Sequence, residues 1–474
     1  MEFATPLSTE ICHPWTLEAR LEDKDQIELS WSSSNPSTAP SDVDSAESYS
    51  TYQESQPSEI PLTPLECNDE YFSHVREDEP PVVAIMGIGY VGLHLVKAFS
   101  VHYKVIAFDV SDKRLAAIAD ENSLGSNTSL TSDTFQLTTA THFLVAVPTP
   151  LIANTAQIDT SIIQNSLKTI SDHVRPGATI VVESSVSVGM TRSLLGKMVE
   201  THNLHAGMSP ERVDPGRTDP SYESIPKIIS GLNQASLESI TKLYSPVFQS
   251  LVPVSSPEVA EMTKLYENCQ RMMCIAYANE MADACHALPS PIDPFEVSRA
   301  AATKPFGYLP FNPSAGVGGH CIPVNPSYLF SAGDYPLLKH ATEKMKMRPA
   351  MLADRTMKAL TTRNKSATPK NGEQKFQVLV VGVAFKPGQE LTTNSPGLGI
   401  INHLLDIWDA HVVYADPLVK EPSLNYVPRL DERREWNKER LEQFDVIIVV
   451  MKQKGLDFGV LEGLEGVLLE QHCN

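Results

Sequence analysis

The chain is poor in cysteine, in positive charge and in long apolar runs, and each scarcity removes a class of function. Seven cysteines are scattered over 474 residues (Cys12, Cys67, Cys269, Cys274, Cys285, Cys321, Cys473) with no metal-ligand spacing. Sparse thiols in a chain this long suit a reducing, cytoplasmic compartment, not a disulfide framework, and no metal site is expected. Lys and Arg number 38 against 58 Asp and Glu, a formal net charge of −20. Nothing resembles the basic footprint of a nucleic-acid binder. No apolar run approaches the roughly 20 residues of a membrane span. The N-terminus lacks the basic-then-apolar plan of a signal peptide. No nucleic acid and no membrane are therefore expected as partners.

The charge is uneven. Residues 1–80 hold 18 acids and three bases, a net of −15, which leaves about −5 for the remaining chain. That remainder is ordinary for a soluble enzyme. Residues 1–79 are rich in Ser, Pro, Thr, Asp and Glu, as in Ser32-Ser33-Ser34-Asn35-Pro36-Ser37. They show no apolar period of either kind and are expected to be a disordered acidic tail.

From there the pattern alternates. Val82–Met86 is a short apolar run ending in glycines, followed by a helical stretch from Gly92. Lys104–Phe108, His142–Val147 and Ala178–Glu183 read as further buried strands, with a helix over Thr160–His173. Glu258 to about Ala287 has apolar residues at helical spacing and no Gly or Pro, so it reads as one long helix. Arg363–Lys375 reads as a linker, after which Phe376–Val383, Val412–Ala415 and Val446–Val450 repeat the strand pattern. The expected fold is α/β: two Rossmann-like doubly wound parallel-sheet domains joined by a central helical region. The expected divisions are a tail (1–79), a nucleotide-binding domain (80–255), a helical region (256–362) and a second α/β domain (376–474).

Two motifs carry chemistry. Gly87-Ile88-Gly89-Tyr90-Val91-Gly92 sits between the first strand and its helix, and Asp109 ends the next strand. Gly87 permits the tight turn, Gly89 lets the backbone approach a pyrophosphate, and Gly92 lets the helix pack closely. The helix N-terminus then faces the phosphates with unpaired N–H groups. A carboxylate at Asp109 can bond both ribose hydroxyls and would repel a 2′-phosphate, so NAD is expected in preference to NADP. The second motif is Gly316-Val317-Gly318-Gly319-His320-Cys321-Ile322-Pro323. Alone, Cys321 reads as a small buried apolar residue. Backbone N–H groups near its sulfur would favour thiolate, and a nucleophilic thiolate beside a nicotinamide suggests oxidation through a thioester.

Five stretches in order carry a family resemblance: Ile88–Leu93, Val147-Pro148-Thr149-Pro150, Ser209–Gly216 (Ser-Pro-Glu-Arg-Val-Asp-Pro-Gly), Gly316–Pro323 and Ala384-Phe385-Lys386-Pro387. The chain resembles the UDP-glucose/GDP-mannose dehydrogenase family over roughly residues 80–460. It looks most like the branch oxidising UDP-N-acetylglucosamine and UDP-N-acetylmannosamine. The resemblance implies oxidation of a nucleotide-sugar C6 alcohol to the acid with two NAD, in the service of polysaccharide biosynthesis. It casts Cys321 as nucleophile and Glu211 as the base that activates water. It casts Lys264 and Asn268, one helical turn apart, as oxyanion donors, and Thr149 as a neighbour of the nicotinamide and the attacking water. It places Gly87, Gly89, Tyr90, Val91, Gly92, Asp109, Arg114, Thr149 and Glu183 at the cofactor. Glu211, Arg212, Lys264, Asn268, Arg271, Gly318 and Lys386 fall at the substrate. It also implies a UDP-binding role for the second α/β domain and a homodimer or larger assembly through the central helices. Without the resemblance, Glu211 reads as a surface turn residue, Lys264 and Asn268 as a solvated helical face, and Lys386 as a solvated lysine.

The pattern also departs from the family. Asn325 takes a catalytic position usually held by aspartate; an amide orients a neighbour but cannot act as a base. Thr393 stands at a usual arginine, and threonine does not replace bidentate recognition by a guanidinium. Asn312-Pro313-Ser314-Ala315 alters the family's Pro-Gly substrate loop. These departures leave the sugar open. They also motivate an alternative, a catalytically impaired NAD- or nucleotide-sugar-binding regulator, and leave room for an alcohol dehydrogenase that stops at the aldehyde.

Overall fold

The computed structural model describes residues 74–76, 78–120, 124–152, 155, 157–214, 216–217, 219–363, 369–420 and 424–473. The tail expected over 1–79 lies largely outside these residues. Its last stretch is nevertheless placed on the first domain. The Val75 N–H bonds Pro176 O at 2.9 Å, and Glu79 pairs with Arg175 at 2.7 Å. The described residues 74–76, 78 and 79 of the expected tail thus belong with the first domain, where Val75 packs against its core.

The first domain is built from β1 (Val82–Met86), α1 (Tyr90–Phe99), β2 (Lys104–Phe108), α2 (Asp112–Asp120), β3 (Thr128–Thr131), β4 (His142–Val145), α3 (Ser161–Ser171), β5 (Thr179–Val182), α4 (Met190–His202), β6 (His205–Met208), β7 (Lys227–Gly231), α5 (Gln234–Tyr244) and β8 (Leu251–Pro253). The sheet runs β3-β2-β1-β4-β5-β6-β7-β8. Neighbouring strands are parallel except at β6 and β7, which pair antiparallel. Parallel neighbours need a crossover, usually a helix. The 209–226 connection carries prolines at 210, 215, 220 and 226 and cannot be one, so it returns as a long loop. That loop holds Glu211.

Successive residues of β1 face opposite sides, as a strand requires. Ala84 and Met86 join the core under α3 and α4. Val83 and Ile85 join the one under α1 and α5. All four residues are 1% exposed or less, which is why the strand reads as a continuous apolar run.

The long helix α6 spans Pro257–Ala287, with Pro257 at its first turn and Ser256 as N-cap. It packs with α7 (Pro294–Ala301), α8 (Asn325–Phe330) and α9 (Pro336–Arg363). The core shared by α6, α8 and α9 includes Leu265, Met272, Tyr328, Leu338 and Met345. The expected linker begins later than Arg363, because α9 runs through that residue. The second sheet has the order β10-β9-β11-β12 and is wholly parallel: β9 (Gln377–Val381), β10 (His411–Ala415), β11 (Val446–Val449) and β12 (Leu468–Gln471), with α10 (Pro396–Asp406) following β9. Among the described residues no helix is long and apolar enough to cross a membrane.

Candidate active site

The glycine loop has the geometry that its residue types dictate. Gly87 takes φ +88°, a region costly for L side chains. A Cβ at Gly92 would fall 1.9 Å from Gly87 O, so no side chain fits between helix and turn. A Cβ at Gly89 would meet nothing within 4 Å. Gly89 is the N-cap of α1, so this open space lies where the unpaired N–H groups of the helix point. Asp109 Oδ2 accepts from Ile88 N at 2.8 Å, and Oδ1 accepts from Ser111 N at 2.9 Å. Arg114 Nε donates to Ile88 O at 2.8 Å. Asp109 and Arg114 therefore hold the two peptide groups that flank the Ile88 Cα. The open approach at Gly89 fits a pyrophosphate. The Asp109 carboxylate keeps lone pairs for ribose hydroxyls.

Tyr90, in the first turn of α1, packs edge-on against His94 with ring centroids 4.8 Å apart, and His94 lies 5.6 Å from the Tyr222 ring, so a row of rings runs from this loop toward Glu211. Tyr90 is 40% exposed. The negative charges of Asp214 and Glu211 reach its phenol; burial is the larger cause that pushes it up. Glu211 itself is buried. Its Oε1 accepts from Arg212 N at 2.6 Å and Val213 N at 2.5 Å; its Oε2 accepts from the Tyr222 hydroxyl at 2.9 Å. Lys264, from α6, donates to the Glu211 carbonyl. Arg212 is committed within the fold, donating to Pro226 O at 2.7 Å and to Glu267.

Cys321 closes the other side. Its residue surface is exposed, yet its thiol sits among protein groups. Loss of water around the sulfur pushes the thiol up; the Lys264 ammonium pulls it down, and the charges of Glu211 and Asp214 push it up further. Among the described residues no hydrogen bond to Sγ is present. The stabilising neighbour is therefore a cation from α6, not the backbone N–H groups expected from the glycine turn.

Asn279 and Arg348 hold Ser314 ahead of that turn, through Ser314 N to Asn279 Oδ1 at 2.7 Å and Arg348 Nε to Ser314 O at 2.9 Å. After Cys321, its carbonyl accepts from Asn325 N at 2.9 Å, which starts α8. Asn325 is 2% exposed and accepts, through Oδ1, from Asn268 Nδ2. The two amides thus orient one another. Thr149 Oγ1 donates to Ser185 O at 2.8 Å and lies 2.8 Å from the Tyr328 hydroxyl. Burial pushes that phenol up to about 12, and the Cys321 charge adds to the effect.

The second sheet domain supplies the roof. Gly319 N donates to Thr393 O at 2.8 Å, and Thr393 Oγ1 lies 3.2 Å from His320 Nε2. A Cβ at Gly318 would meet Phe385 Cβ at 3.0 Å, and one at Gly319 would meet the Phe385 ring at 3.0 Å. The glycines before Cys321 therefore let it dock beneath the β9–α10 loop. Lys386, from that loop, reaches Asp214 at 2.7 Å.

Sequence profiles of the UDP-glucose/GDP-mannose dehydrogenase family match three consecutive stretches. They are the NAD binding domain (residues 82–248), the central domain (258–343) and the UDP binding domain (379–466). The UDP-N-acetyl-D-glucosamine 6-dehydrogenase of Pseudomonas aeruginosa is 30% identical over 361 residues, 71% of this chain and 83% of that protein. A UDP-N-acetyl-D-mannosamine dehydrogenase of Methanococcus maripaludis is 28% identical over 357 residues, 70% of this chain and 80% of that one. The chain belongs to the UDP-glucose/GDP-mannose dehydrogenase family. It is an NAD-dependent oxidoreductase with an NAD-binding and a UDP-binding domain. The solved structure of the UDP-D-ManNAc dehydrogenase from Pyrococcus horikoshii shares its fold, with a TM-score of 0.71 at 22% identity over 82% of this chain and 99% of that one.

Within this family member, Arg271 sits apart from the residues above, and the Glu183 carboxylate lies behind Glu211 on the far side of Lys227. Arg271 lies on α6 with an exposed side chain. Glu183 has no exposed surface, and its carboxylate takes Lys227 at 2.6 Å and Tyr244 at 2.5 Å. In this arrangement its side chain offers nothing to a dinucleotide. Lys227, Tyr222, Tyr328 and Asp214 were not singled out as site residues from sequence. Lys227 left one signal, an ammonium opening the apolar strand Lys-Ile-Ile-Ser.

Proposed function

We propose that the protein oxidises the C6 alcohol of a UDP-sugar (UDP-N-acetylglucosamine, UDP-N-acetylmannosamine or UDP-glucose) to the uronate, through a covalent adduct on Cys321. The observation that carries this reading is the meeting of the Lys264 ammonium with Glu211 and with the charge of the Cys321 thiol, while the Tyr90, His94 and Tyr222 rings run from the glycine loop to Glu211. In this reading NAD binds residues 80–255, the thiol and long helix belong to 256–362, and the nucleotide of the sugar binds 376–474.

NAD, when bound, accepts the hydride in each of the two oxidations. Lys264 and Asn268 face the sugar oxygen as donors, so charge developing there meets an ammonium and an amide. Cys321 adds to the C6 aldehyde: a C–S bond forms, the carbonyl π bond breaks, and the oxygen takes a proton. After the second oxidation the sulfur is held as a thioester, which stays reactive toward water. Glu211 takes a proton from that water, the C–S bond breaks, and the thiolate leaves. Asn325 orients the Asn268 amide and carries no charge.

Purified protein with NAD is mixed with each UDP-sugar and with GDP-mannose, and reduced cofactor is followed by absorbance. Two reduced cofactors per sugar are expected. One per sugar would mean release at the aldehyde. Tight NAD binding with no turnover on any sugar would favour the regulator that Asn325 and Thr393 motivate. Cys321→Ser is expected to abolish acid formation, and undiminished uronate from it would refute the adduct.

We also propose a homodimer across α6, which presents Val259, Met262, Tyr266, Tyr277 and Met281 at 36–70% exposure. Exposed apolar surface of this kind favours a second copy. Tyr266→Asp with Tyr277→Asp is expected to give monomers by light scattering, and an unchanged mass would remove the interface.

A further inference from the structure

Behind Glu211 lies a buried row of side chains in which two carboxylates share one cation. Tyr244 donates to Glu183 at 2.5 Å, Lys227 donates to Glu183 at 2.6 Å, and Lys227 stands 3.8 Å from Glu211 Oε2, which takes Tyr222 at 2.9 Å. Lys227 and Glu183 are 3% and 0% exposed. The remaining Lys227 donors point to Pro210 O at 3.2 Å and Ser209 O at 3.4 Å. The ammonium therefore grips the backbone of the Ser-Pro-Glu turn as well as a carboxylate. A cavity of about 10 Å³, room for about one water, lies against Glu211, Tyr222, Lys227 and Phe248.

Two ionised carboxylates with one ammonium leave a net negative charge where water hardly reaches, which is costly. Burial first, and the Glu211 charge second, push the Glu183 carboxyl up to about 7; Lys227 and Tyr244 oppose this. The groups facing the pair are Lys227 from β7, Tyr244 from α5, Tyr222 from the loop, Tyr90 and His94 from α1, Lys264 from α6 and the Cys321 thiol.

We propose that Glu183 is a positioning residue that acts on Glu211 through Lys227: ionised, it holds the ammonium to itself, and protonated, it releases the ammonium toward Glu211 and the turn. The inference rests on the reading of Glu211 as the base of thioester hydrolysis. It assigns Glu183 to the base, not to the cofactor.

The test uses the full chain and two readouts. The first needs no substrate: infrared titration of the protein. A carboxylic-acid carbonyl band is expected to vanish as pH rises through neutrality, to be missing in Glu183→Gln, and to persist to higher pH in Lys227→Met. The second is the decay of the Cys321 adduct, quenched and weighed by mass spectrometry across pH. Wild type is expected to show an inflection near neutrality that Glu183→Gln lacks. Lys227→Met should slow adduct decay about tenfold or more while the first oxidation continues, with Lys227→Arg restoring part of the rate. No band assignable to Glu183 would overturn the proposal. So would a wild-type inflection retained in Glu183→Gln, or equal slowing of both steps in Lys227→Met with no gain from arginine. If wild type oxidises no sugar, the functional reading fails, and the infrared titration still decides the Glu183–Lys227 coupling.

Discussion

The Lys386 ammonium stands 2.7 Å from the Asp214 carboxylate, a contact that ties the loop after β9 to the loop carrying Glu211. Both side chains keep 31% of their surface in solvent, so the pair adds roughly 1 kcal/mol or less to stability. Its value lies in position. On the proposed reading, the phosphate charge of a nucleotide sugar bound beneath the second sheet competes with Asp214 for the lysine. Lys386→Met is expected to leave thermal unfolding almost unchanged and to raise KM for the nucleotide sugar. Raised ionic strength should raise KM in wild type and less so in the variant. An unchanged KM would remove Lys386 from the substrate site.

Two glycines of one loop should answer differently to the same methyl group. Gly92→Ala drives a Cβ against the Gly87 carbonyl at 1.9 Å, a backbone atom that cannot yield without moving the turn. A loss of about 1–3 kcal/mol in denaturant unfolding is expected, as for overpacked sites. Gly89 has an ordinary extended backbone (φ −73°, ψ −157°) and open space at its Cβ. Gly89→Ala should fold normally and lose NAD affinity in calorimetry, because the methyl fills the approach of the pyrophosphate. Normal NAD binding by Gly89→Ala would show that the cofactor does not approach there.

Much of this was legible in the chain. The buried strands β1, β2, β9 and β11 announce themselves as apolar runs, and α6 as thirty-one residues without an interior Gly or Pro. The glycine loop and Asp109 were legible because each residue answers to a backbone need within some twenty positions. The reversed β7 was not, because a strand's direction depends on what its preceding loop can reach. The Glu183–Lys227 pair joins residues 44 positions apart, and nothing periodic connects them. Thr393 read as a missing arginine. In the structure its carbonyl and hydroxyl hold the loop before Cys321, a backbone role that residue type alone does not disclose.

Removal of Lys264 should make Cys321 a poorer thiolate. Burial pushes this thiol above its ordinary value, and the Lys264 ammonium is the cation that restrains the rise. The rate of alkylation by iodoacetamide, followed against pH, reports the thiolate fraction. Wild type is expected to react slowly at neutral pH and faster as pH rises. In Lys264→Met the same rise should begin at higher pH, with a slower rate throughout the neutral range. Coincident profiles would mean that the ammonium does not act on the sulfur, and the oxyanion role of Lys264 would then stand without support from the thiol.

Glu183 also ties folding to pH. Its carboxyl is raised from an ordinary 4.5 to about 7 in the folded chain, so between these values the folded state holds a proton that the unfolded state has released. A raised acid of this kind contributes stability that is full below the lower value and is lost as pH rises through the upper one. The loss is on the order of 1–3 kcal/mol, reduced where Lys227 compensates. Denaturant unfolding at pH 5 and pH 8 measures it. Glu183→Gln keeps the contact with Tyr244 and carries no proton to lose, so its stability should change less between the two conditions. Lys227→Met should steepen the wild-type fall, because it leaves Glu183 and Glu211 buried without their shared cation. Equal slopes in all three proteins would mean that the carboxylate is not held in the low-water setting that the row of tyrosines implies.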